Sequence, residues 1–192
     1  MSQVLMRTVE GQWSKLMVTE SQLKIKIQRE GKVTMHPFTD FFKGFEKVEA
    51  VRRVFGEKTE EVLNNLKVEI AGFRAYMGVN DRDGHLLVSA YYLEHGDVVD
   101  IYLDVIHELV HVKQWMDGRE LFDSDFAYIE RPTEVEAYKA AIEEARRIGL
   151  NGERICEYLK TEWMSDEDFE RLAWAMDVDC KAWYEGQKQK PK

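Results

Sequence analysis

His107, Glu108 and His111 stand in the run "VIHELVHVKQW", residues 105 to 115. On a helix, imidazoles four residues apart lie one turn from each other on the same face, so both can reach one ion. The glutamate after the first histidine is displaced sideways, where it can take a proton from metal-activated water instead of ligating. A random chain of this length and composition holds the pattern with a probability of about 0.015. Chance explains it poorly, and the surroundings decide.

A helical wheel at about 100° per residue sets Val98, Ile101, Tyr102, Val105, Leu109, Val112 and Met116 opposite His107, and Val99, Leu103, Ile106 and Val110 widen the apolar arc. A narrow polar wedge holds Asp100, Asp104, His107, Glu108 and His111. A helix apolar over most of its circumference is buried, so this wedge is expected to face a cleft rather than bulk water.

A catalytic zinc site takes three protein ligands and keeps one position open. No histidine follows His111, and Asp117 lies about 9 Å along a continuing helix from it. The better source is "RPTEVEAYKAAIEEARRIG", which Pro132 and Thr133 open and Gly149 closes. Thr133 and Glu136 fit a capping box, giving Glu136 a structural task and leaving Glu134 as the third ligand.

HELVH followed some twenty residues later by "EVEA", of form ExxA, resembles the gluzincin zinc metallopeptidases. It is most similar to their compact cytosolic members, the minigluzincins and the ImmA/IrrE-like peptidases, over roughly residues 85 to 148. The resemblance implies a zincin-like fold, zinc held by His107, His111 and Glu134, and a peptide or protein substrate. It also implies that the strand before the active helix, "HLLVSAYYL", pairs with an extended peptide. Many relatives place Asp or Asn after the ExxA alanine, where this chain has Tyr138. In some minigluzincins a terminal segment blocks the cleft, which here would be residues 151 to 192.

The expected activity is peptide hydrolysis through a metal-activated water, with Glu108 as the proton carrier. Tyr128, Tyr138, His85 and His95 are candidates for stabilising the oxyanion, and Tyr128 is preferred because it lies between the two ligand-bearing segments. Asp104 is placed to orient an imidazole from behind, Trp115 to rim the cleft, and His36 to serve structure. Two alternatives stand beside this one: a catalytically silent zincin fold that binds a protein, and an ImmA/IrrE-like regulator that cleaves one target.

These residues need elements to hold them. The pattern predicts α+β: a strand-rich part over 1–96, the two ligand helices within 97–148, and further helices over 149–192, all in one domain of 192 residues. "LKIKIQ" and "KVTMH" are expected to form a hairpin, and residues 39–56 and then a segment from Thr59 to form helices. "LKVEIAGFRAYMGV" and "HLLVSAYYL" are expected strands, joined by "NDRDG" as a turn. A calcium loop does not fit, since its first and twelfth positions would be Val79 and Ala90. The expected helices are 97–117, 133–148, 151–162 and 165–186. A net charge of −9 disfavours nucleic-acid and anionic-membrane partners. Cys156 and Cys180 read as reduced or buried thiols, and with no apolar leader core the chain reads as cytoplasmic.

Overall fold

The computed structural model describes residues 2–7, 13–73 and 75–188. In chain order the elements are β1 (Ser2–Arg7), β2 (Trp13–Val18), α1 (Glu20–Leu23), β3 (Lys26–Ile27), β4 (Met35–Pro37), α2 (Phe38–Phe41), β5 (Phe42–Lys43), α3 (Glu49–Phe55), α4 (Thr59–Asn65), β6 (Lys67–Ala71), β7 (Met77–Val79) and β8 (Leu86–Ser89). Helices follow: α5 (Ala90–His95), α6 (Val98–Met116), α7 (Pro132–Arg147), α8 (Gly152–Leu159), α9 (Asp166–Ala175) and α10 (Lys181–Lys188). The class is α+β and mostly helical.

The four-stranded sheet runs β4-β6-β8-β7 and is mixed. Strand β6 pairs with β8 in parallel, while β4 on β6 and β7 on β8 are antiparallel. Two expectations fail here. Residues 66–79 do not form one strand; Gly72, Phe73, Ala75 and Tyr76 are not strand, and β6 and β7 flank β8 on opposite sides. The segment "HLLVSAYYL" is strand only to Ser89, whose hydroxyl accepts from the backbone N–H of Tyr92 and so starts α5. Ser89 is thus both the last residue of β8 and the N-cap of α5.

Further back, Lys26–Ile27 pairs with Phe42–Lys43, and Met35–Pro37 joins β6, so the expected hairpin between them does not form. The helix expected over 39–56 is broken from Phe42, where β5 begins, to Gly44. That residue has φ +90, and a Cβ there would lie 2.5 Å from the Lys24 carbonyl oxygen. The "NDRDG" segment is a turn as read, closed by Gly84 N–H on the Asn80 carbonyl. Gly84 (φ +73) has Trp115 stacked where a side chain would be.

One contiguous apolar core joins the sheet to α6, α7 and the C-terminal helices, from Val18 through Ile70, Leu86, Ile106 and Ile142 to Leu172. Helix α6 lies at its centre, with Ile101, Tyr102, Leu103, Val105, Ile106 and Leu109 fully buried. Among the described residues no helix is long and apolar enough to cross a membrane.

The expected 165–186 helix is two helices, because the chain turns at Asp177 (φ 53). That turn carries Cys180 back to Cys156, with Cα atoms 5.6 Å apart, and the two form a disulfide. The reading of two thiols is therefore corrected: helix packing brings together residues 24 apart that spacing alone could not pair. A disulfide of this kind also runs against a reducing compartment. Closing a loop of this length contributes about 3 kcal/mol on chain-entropy grounds. Reduction under unfolding conditions followed by refolding should lower the melting midpoint by roughly 6–12 °C. A melt unchanged by reduction would show that packing alone holds α8 to α10.

Candidate metal centre

Helix α6 starts where Asp97 accepts the backbone N–H groups of Val99 and Asp100, and it ends before Gly118 (φ +74). Between them the polar wedge points where the wheel placed it. Asp100, Asp104, His107 and Glu108 line a cleft of about 300 Å³ with Tyr76, Met77, Tyr128, Tyr138, Tyr158 and Trp163. Helix α7 crosses α6 and begins at Pro132, so Glu134 sits in its first turn, where the helix dipole favours a carboxylate.

The three expected ligands meet. His107 Nε2 is 3.0 Å from His111 Nε2, and Glu134 Oε2 is 3.2 Å from the first and 3.4 Å from the second. Tetrahedral zinc with bonds of roughly 2.0–2.1 Å would separate its ligands by about 3.3 Å. All three residues are buried. Glu134 Oε2 lies near both rings yet has no aligned hydrogen-bond donor, an arrangement that a cation would satisfy. Donor types, separations and the orphaned oxygen all fit, and the group can hold a metal ion.

Protonation responds to this crowding. Burial pushes the Glu108 carboxyl up to about 8, against the pull of His111 and helped by Glu134 and Asp104. Burial lowers His107. At His111 burial also acts downward, but Glu134 and Glu108 outweigh it and raise the ring to about 9. Burial alone would raise Glu134; the two imidazoles overcome that and hold it well below the usual carboxylate range.

The signs give a pH profile for the metal-free protein. The His111 contribution is complete below pH 6.5 and lost as pH rises through 9, and the raised Glu108 carboxyl loses stability over 4.5 to 8. Glu134 acts oppositely, but only at acidic pH. Urea melts with chelator should therefore show stability falling as pH rises from 6.5 to 9. Zinc should reverse the trend, because its ligands bind deprotonated. A flat chelated profile would contradict the proximity of these groups.

Tyr128 borders the same cleft, its hydroxyl 3.4 Å from that of Tyr138 and its ring edge-on to Trp163. Burial raises its pKa, so it stays a neutral O–H donor. The Tyr138 ring packs against His107 with centroids 4.6 Å apart.

Several assignments change. Thr133 does not cap α7: the N-cap is Arg131, and Thr133 Oγ1 donates to the Leu121 carbonyl. Glu136 is taken up by Gln114 and Arg119, so Glu134 is free for a reason other than the expected one. Asp104 orients no imidazole; it accepts from the Tyr92 hydroxyl at 2.5 Å and bonds Tyr158. Trp115 lies away from the cleft, donating from Nε1 to the Asp81 carbonyl. His85 is held between Asp83 and Glu69, and His95 lies on α5 against Tyr91, so neither lines the cleft. His36 bonds the Lys32 carbonyl, and Asp117 pairs with Lys113. Reading the sequence missed Gln114 behind His111, although its place three residues on was a usable signal. It also missed Ala75, Tyr76 and Met77 in the cleft wall.

Fold and site together define an α+β protein with a buried, metal-competent pair of histidines and a glutamate beside an open cleft. No protein-family model, curated protein or solved structure matches the chain.

Proposed function

We propose that the protein is a zinc-dependent peptidase. The observation that carries this reading is the convergence of His107, His111 and Glu134 beside a fourth group, Glu108, that lines the cleft and has no side-chain hydrogen bond or ion pair among the described residues. A purely structural zinc usually closes with four protein ligands and needs no base. Zinc held there supplies a Lewis acid that acidifies water and polarises a carbonyl.

The chain's own residues would do the rest. Glu108 accepts the proton of the attacking water and delivers it to the departing amine. The positive charge of the centre would favour its carboxylate form, against the burial that raises it when no metal is bound. Tyr128 donates its O–H toward the carbonyl oxygen as negative charge develops there.

The peptide-pairing strand differs from the one the resemblance implied. Strand β8 is flanked by β6 and β7 and has no free edge to offer. Strand β7 is the end of the sheet, and Met77 with Ala75 and Tyr76 lines the cleft, so an extended substrate would add to β7. Glu157, Tyr158, Lys160, Thr161 and Trp163, from the C-terminal segment, also line the cleft.

The test is metal content per chain after zinc reconstitution, followed by digestion of a mixed peptide library. One zinc per native chain with cleavage of the library supports the reading. Zinc without cleavage would leave the protein-binding module, or an enzyme restricted to one target, as the better account. No zinc would remove the enzyme reading.

A further inference from the structure

The strongest unassigned feature near the site is the environment of Gln114. Its side chain is 1 % exposed, so each of its polar atoms needs a protein partner. The amide nitrogen donates to the Thr133 carbonyl at 3.0 Å and to Glu136 Oε2 at 2.9 Å. Both partners can only accept, and Arg119 binds the same Glu136 oxygen, which keeps that carboxylate an acceptor. The amide therefore has one possible orientation, with Oε1 facing His111 Nδ1 at 2.8 Å. Since Oε1 only accepts, Nδ1 must carry the hydrogen. In the neutral ring Nε2 then presents its lone pair toward His107 and Glu134.

The same side chain spans two elements. Gln114 and His111 belong to α6, while Thr133 immediately precedes Glu134 in the first turn of α7. One amide thus touches the ring of one ligand and the backbone next to another. His107 has no such support, since its Nδ1 has no hydrogen-bond partner among the described residues.

We propose that Gln114 is the positioning residue of the metal centre, fixing the tautomer of His111 and clamping the ligand-bearing turns of α6 and α7 together. It takes the outer-shell task for which Asp104 was expected. The inference rests on the reading of His107, His111 and Glu134 as zinc ligands.

The experiment measures zinc affinity of the full chain against a chromophoric chelator, together with long-range ¹H–¹⁵N correlations of the histidine rings in the zinc-loaded protein. Native protein should show His111 protonated at Nδ1 and bound through Nε2. Gln114→Met should weaken zinc by about 10–100-fold, the usual cost of losing an outer-shell partner. The paired change Gln114→Glu with Glu136→Gln restores an acceptor to Nδ1 and a donor between positions 114 and 136, but not the donor to the Thr133 carbonyl, so it should recover only the part of the loss that comes from the His111 tautomer. That recovery separates positioning from packing and keeps the test open if Gln114→Met folds poorly. Native-like affinity in Gln114→Met, no recovery in the pair, or His111 bound through Nδ1 would each overturn the role of Gln114 while leaving the zinc reading intact. Native protein that takes up no zinc would instead overturn the reading on which it rests.

Discussion

On the proposed peptidase reading, replacing Glu108 by glutamine should leave zinc bound and lower kcat/KM for peptide hydrolysis by about 10²–10⁴-fold, the range for losing a positioned proton carrier. Glutamine keeps the shape and removes only the ability to take a proton, so the loss reports chemistry rather than packing. The carboxyl of Glu108 is buried and pushed up to about 8 before metal binds, and its cost falls on the folded protein. Glu108→Gln should consequently be more stable than native above pH 8 in the presence of chelator. Kinetics on the best library peptide, with metal content measured on the same samples, decide the matter. Undiminished activity with zinc present would take Glu108 out of the mechanism.

The second large effect is thermal. At about a thousand times its Kd, zinc should stabilise the native chain by roughly 4 kcal/mol, raising the midpoint by about 8–16 °C. In Glu134→Ala most of that shift should vanish, because two imidazoles remain without the one anionic ligand that offsets the ion's charge. The control is Asp117→Ala, since Asp117 pairs with Lys113 on the surface and its loss should leave the shift unchanged. A zinc-induced rise that survives Glu134→Ala would place the metal elsewhere in the chain.

Much of this site was legible because a helix is a local object. The order of residues along α6 fixes their angles, so HELVH put His107 and His111 on one face and Glu108 beside them. The long apolar arc around them announced a buried helix with one open wedge. Ion, base and cleft then followed from sequence separation within about three turns. The turn at Gly84 was legible for the same reason.

Other features depend on contacts between distant segments. The capping box expected at Thr133 lost to the Leu121 carbonyl and to Gln114, partners that only the packing of α7 on α6 supplies. Asp104 faces two tyrosines from α5 and α8, elements whose approach no periodicity in α6 encodes. Strand β8 reads as an edge beside the active helix until β7 folds back to cover it. Cys156 and Cys180 read as separate thiols until the turn at Asp177 brings them together. By itself the sequence determined two candidate ligands, the candidate base and the face they share, since backbone geometry relates neighbours along one helix. The tertiary structure decided what occupies Glu136, which amide meets His111, which strand borders the cleft and how the cysteines pair, because those depend on side chains from different elements competing for the same partners.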